Sequence, residues 1–272
     1  MRLIPFARPY LPILPALAAV FFAGTAARAD VKIVSELNVT GLPQSQTRQK
    51  FPQSVTTFYK GDKSRTELGN KVTIYDAATD KLYTLDPANK TYTAMTPQEA
   101  AQKGAGLLAL LKVDVTADVK EGETIKTIAG KQARSQTFTA TIGLGFEGSP
   151  TGSLARVKIE GEQWATDAVM LSAAAQRVAA AGFAQSLGPL VQNAKPLTDK
   201  LATLKGTPLS RRVVATVTSD QELPGLPDGP VVATLDARSV SEGPLDDALF
   251  AVPADYKLAE TPPPAAPALP GS

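Results

Sequence analysis

Apolar and polar residues alternate over much of this chain, and short polar turns interrupt the alternation at nearly regular intervals. Val31, Ile33, Leu37 and Val39 share one parity, which predicts a strand with one buried and one wet face. Gly41-Leu42-Pro43 ends it. A run over 55–59 leads through Gly61-Asp62 into 64–68, and Gly69-Asn70 turns the chain into 72–75, which makes a meander. The runs 81–85 and 91–95 flank the turn Asp86-Pro87-Ala88-Asn89, so Tyr83 and Tyr92 are expected as cross-strand neighbours.

The period then changes. Thr96-Pro97-Gln98-Glu99 has the form of a capping box with proline at the first helical position, and a helix is predicted from there. Leu107, Leu108 and Leu111 share its apolar face, while Gly104 and Gly106 weaken it. Strand patterning returns over 113–119, 124–128, 133–141 and 154–164, with Ala129-Gly130-Lys131 as a turn. An Ala- and Leu-rich stretch over 167–204 puts Phe183, Leu187, Leu190 and Val191 on one helical face and Leu197, Leu201 and Leu204 on another, with breaks near Gly188-Pro189 and Pro196. Three strand candidates follow, over 209–219, 231–240 and 249–252.

That order predicts an α+β fold of one domain over residues 30–260: a large curved antiparallel β-sheet with covering helices, supplied by helical insertions near 97–112 and 167–205. Residues 261–272, TPPPAAPALPGS, read as an extended Pro-rich tail with too little apolar mass to bury.

The N-terminus bears on compartment. Arg2 and Arg8 precede an apolar run over 11–23, and Ala27-Arg28-Ala29 has the small-x-small form of a cleavage site, so residues 1–29 read as a secretory signal peptide. The run is shorter than the roughly 20 residues that span a bilayer, and Pro12 and Pro15 interrupt it. Arg177 interrupts the best later apolar candidate, so no integral membrane segment is expected after cleavage. A soluble periplasmic protein follows. Removing Arg2, Arg8 and Arg28 turns the formal charge of +2 into 25 basic against 26 acidic residues, a balance of −1 that gives no electrostatic reason for nucleic-acid binding.

Composition narrows the chemistry. With 0 His and 0 Cys the chain lacks the commonest catalytic base, metal ligand and thiol nucleophile, and neither a lipid-anchoring cysteine nor a disulfide framework is possible. Ser-x-x-Lys and Gly-x-Ser-x-Gly patterns are absent. Asp76, Asp80 and Asp86 lack the dense alternate ligands of a calcium loop and suit turns instead. Asp62, Arg65 and Glu67 sit in one hairpin and pair at the surface or meet a polar headgroup. No enzyme, metal or cofactor is expected. Trp164, the single Trp, either faces a ligand or belongs to the core.

The segments Gly61-Asp62-Lys63-Ser64-Arg65, Leu85-Asp86-Pro87 before Lys90-Thr91-Tyr92, and Phe250-Ala251-Val252-Pro253-Ala254-Asp255-Tyr256 occur together. As a set the chain resembles secreted bacterial proteins related in fold to the periplasmic lipoprotein carriers of the LolA/LolB and LppX kind. The resemblance implies a half-barrel whose concave face, under helices, holds an acyl chain or another apolar ligand. It makes Leu107, Leu108, Leu111, Trp164, Phe183, Leu187, Leu190 and Val191 the candidate ligand-binding residues of a non-enzymatic carrier for a lipid or lipoprotein acyl chain. The alternative is an envelope interaction protein whose helices permanently fill the sheet and whose edge or tail meets a protein partner. An apolar cavity of several hundred Å³ distinguishes the first from the second.

Overall fold

The computed structural model describes residues 30–42, 50–100, 112–145, 154–173, 175–176, 179, 195–219, 227 and 229–259. The alternation read from the sequence becomes strands β1 Val31–Thr40, β2 Gln53–Lys60, β3 Lys63–Leu68, β4 Lys71–Asp76, β5 Lys81–Asp86 and β6 Thr91–Met95. These are followed by β7 Lys112–Ile128, β8 Lys131–Gly145, β9 Ala155–Thr166, β10 Thr207–Thr218, β11 Val231–Glu242 and β12 Lys257–Leu258, with the helix α1 Lys195–Leu201 between β9 and β10. All twelve strands join one sheet in the order β12-β6-β5-β4-β3-β2-β1-β11-β10-β9-β8-β7. Every pairing is antiparallel except β12 with β6.

The expected α+β half-barrel under covering helices does not form. The sheet is open and mixed, with β12 and β7 at its two edges, and strand dominates the described residues. Of the stretch over 167–205, α1 is the continuous helix among the described residues, and seven residues cannot cover twelve strands. Two further readings change. The runs 113–119 and 124–128 form a single strand, because a bulge between Glu121 and Ile125 absorbs the polar interruption without ending the ladder. The run 249–252 is not a strand: Asp246 accepts from the Ala248 N–H and caps a 3-10 turn, Asp247–Phe250.

Local turn chemistry holds as read. Ala129 and Gly130 both take left-handed φ, 47° and 76°, as a two-residue turn between twisted strands requires. Asp86 accepts from the N–H groups of Ala88 and Asn89, and Asp76 from that of Ala78. The capping box closes in both directions, Thr96 N–H to Glu99 Oε2 at 2.7 Å and Glu99 N–H to Thr96 Oγ1 at 3.1 Å, with residues 97–100 helical.

Paired residues of an antiparallel ladder point to the same side, so the registers define two faces. On the front, Phe138, Ala140, Ile142, Val157, Ile159 and Val213 form an apolar floor on which α1 lays Leu197 and Leu201, both 1% exposed. A second cluster gathers Val31, Ile33, Trp164, Val169, Leu171 and Leu209. On the back, Val72, Ile74 and Leu85 are packed by Tyr83, Tyr92, Val252 and Tyr256. Tyr83 and Tyr92 are diagonal neighbours there, with ring centroids 6.3 Å apart, because Tyr92 stands opposite Leu85.

Candidate functional site

The back of β3–β6 is closed by the chain's own C-terminal segment. Phe250 is buried, Arg65 Nη1 donates to the Leu249 carbonyl at 3.0 Å, and Lys60 Nζ donates to the Leu245 carbonyl at 2.5 Å. Lys257 and Leu258 then add a parallel strand to β6. The Phe-x-Val-Pro-x-x-Tyr phrase is therefore a strap. The Arg65 side chain, which also pairs with Glu67 at 2.6 Å, holds that strap in place.

The front of the same strands is organised differently. Thr57, Thr66, Thr73, Thr84 and Thr93 stand opposite one another in succession, forming a row of five threonines across β2–β6. On one side of the row lie Tyr59, Ser64, Tyr75, Leu82 and Met95; on the other, Val55, Leu68, Lys71, Asp86 and Thr91. The threonines, Tyr59, Tyr75, Leu82, Met95 and Leu68 are all half-buried. A row of hydroxyls and methyls beside one largely apolar row is an amphipathic surface, able to accept a chain along the apolar row and a polar group along its threonines.

The front face continues through Leu37 and Leu235 to a polar row on β8–β10. Arg211, Gln163 and Gln136 are in register across β10, β9 and β8. Arg211 Nε donates to Gln163 Oε1 at 2.6 Å, and Gln163 is 1% exposed. Gln136 exchanges two hydrogen bonds with the Lys205 backbone, each 2.9 Å, and Lys205 Nζ reaches Glu121 at 2.5 Å. Burial lowers the Arg211 guanidinium to about 10, the nearby Tyr59 opposing the shift. Burial likewise pushes the Tyr59 phenol up, with the Arg211 charge working against it. Near neutral pH Arg211 is charged and Tyr59 is neutral, so neither is placed to exchange protons with a substrate.

Trp164 belongs to the core cluster, 8% exposed, with Lys126 Nζ 3.9 Å from its ring centroid. Leu107, Leu108, Leu111, Phe183, Leu187, Leu190 and Val191 lie outside the described residues. The register, which sequence periodicity does not reveal, is what brings the threonine row and the Arg211 row together. Parity carried a partial signal: Gln136, Gln163 and Arg211 occupy the buried-face positions of otherwise apolar strands.

An open depression of about 1110 Å³ lies where β2–β6 meet their turns, lined by Ser54, Glu67, Asn70, Lys71, Asp86 and Tyr92 among others. Its walls are polar and apolar in nearly equal measure and it opens to solvent, unlike the enclosed apolar cavity of a carrier. Among the described residues no group of three or more acidic side chains is arranged to hold a metal ion, and no helix is long and apolar enough to cross a membrane. No family model matches the chain, and no curated protein matches it.

Proposed function

We propose that this chain is a non-enzymatic binding protein that holds a lipid, a lipoprotein acyl chain or another apolar ligand against the front of β2–β6. One observation carries the reading: the C-terminal strap packs on the back of β3–β6, while the front of β2–β6 presents half-buried Tyr59, Tyr75, Leu82 and Met95 beside the threonine row. Half-buried apolar rows gain free energy when a ligand removes the rest of their surface from water, at about 25 cal/mol per Å². The leader-like residues 1–29 support placing this activity in the periplasm.

A second reading, an envelope interaction protein with its sheet permanently filled, draws support from α1, whose Leu197 and Leu201 are fully packed into the other part of the front face. A fluorescent fatty acid titrated into protein purified without detergent separates the two. Binding by the unmutated protein, weakened by Leu82→Asp more than the unfolding midpoint is lowered, supports the carrier. No probe binding, together with organic extracts free of lipid by mass spectrometry, leaves the interaction protein.

A further inference from the structure

The two edges of the sheet are unlike. One ends in β12, two residues long; the other is β7, seventeen residues long, with no described strand on its outer side. Long edges offer unpaired N–H and C=O groups and are normally blunted by bulges, prolines or charged side chains. In β7 the bulge comes only after Glu121, so among the described residues the segment 112–121 is a regular ladder edge. Its half-buried residues Val113, Val115, Ala117 and Val119 form the margin of the apolar floor. Its exposed charged residues carry both signs: Lys112, Asp114, Asp118, Lys120 and Glu121.

We propose that β7 pairs antiparallel with β7 of a second copy of this chain, centred on Ala117, so that the sheet runs unbroken through both copies. The charge order selects that register. A two-fold axis perpendicular to the sheet keeps each face on its own side, so only shifts that pair equal parities are allowed. Centred on Ala117, Asp114 faces Lys120 of the second copy and Lys120 faces Asp114, Thr116 faces Asp118, and Val115 faces Val119. Centred on Thr116, Lys112 meets Lys120 and Asp114 meets Asp118. Centred on Asp118, that carboxylate meets itself. Centring on Val115 also avoids like charges, through Lys112 and Asp118, but leaves Val119 and Lys120 unpaired within the ladder. The Ala117 register uses every regular residue from Val113 to Glu121 and covers the exposed margin of the valines.

The proposal is independent of the ligand reading and is tested by sedimentation equilibrium on the full chain. The unmutated protein should show a monomer–dimer equilibrium. Lys120→Glu and Asp114→Lys, at side chains 78% and 77% exposed, should each raise the dissociation constant about tenfold by setting like charges opposite. The double variant carrying both changes should restore it. Because the chain has 0 Cys, Ala117→Cys introduces a lone thiol that should form a disulfide-linked dimer under mild oxidation, and Val113→Cys should not. A monomer at every concentration, a dimer indifferent to the single charge reversals, or a dimer that Val113→Cys links as readily as Ala117→Cys would overturn the proposal.

Discussion

Phe138 on β8 lies directly over Gly161 on β9, and a Cβ at 161 would occupy the space of the phenyl ring. The ring is 1% exposed and anchors the floor beneath α1, so it has nowhere to move. Gly161 is thus required by its neighbour's size. Gly161→Ala should destabilise the protein by about 1–3 kcal/mol through overpacking. Phe138→Leu in the same chain should recover part of that loss, a coupling that urea denaturation of both single variants and the double variant will measure.

The C-terminal strap contributes to the stability of the sheet it covers. Phe250→Ala should cost about 3–5 kcal/mol, as expected for an emptied aromatic site. Thermal or urea unfolding checks the size of the loss. A change below about 0.5 kcal/mol, the level of an ordinary surface substitution, would show that the strap is held by its backbone contacts alone.

Tyr59 makes alkaline stability a test of the polar row. Burial holds its phenol above the usual 10.0, so as pH rises past that value the unfolded chain releases a proton that the folded chain keeps. The contribution is full below the unfolded value and is lost as pH climbs through the folded one. Arg211 acts in the opposite sense, because its folded value of about 10 lies below that of a free guanidinium and the unfolded chain binds more protons in between. Comparing the wild type with Tyr59→Phe by chemical denaturation from about pH 9 to about pH 11 isolates the phenol. The stability of the wild type relative to the variant should fall across that range, and parallel profiles would argue against a buried phenol.

Trp164 is the chain's single Trp and reports on its own surroundings. Its emission should be blue-shifted and poorly quenched by acrylamide, as an indole 8% exposed requires. Lys126→Met should remove the ammonium over the ring, change the emission intensity and cost about 0.5–1 kcal/mol. An emission maximum typical of hydrated indole would contradict its place in the core.

Much of the sheet was legible along the chain because alternation, turn residues and caps are local properties. The runs read for β1 to β6 match the observed strands to within two residues at each end, and the turns around Gly61, Gly69 and Ala129 lie where the glycines and asparagines require them. Leu197, Leu201 and Leu204 share a helical face by spacing, and the same three meet the apolar floor. The failures were also physical. Periodicity over 167–205 shows that residues can form an amphipathic helix, but not how much sheet it covers, and the bulge in β7 joins what composition divides.

What the amino-acid sequence determined by itself was therefore the strand-forming segments, their turns and the absence of thiol and imidazole chemistry, since each depends on residues close in the chain or on composition alone. Only the tertiary structure decided that β1 lies between β2 and β11, which brings Arg211 near Tyr59. It also decided that the last strand candidate folds as a strap over the back of the sheet while β7 remains an edge. These outcomes depend on register and strand order across separations of more than a hundred residues, where the free energy of pairing comes from side chains that meet only after the sheet has formed.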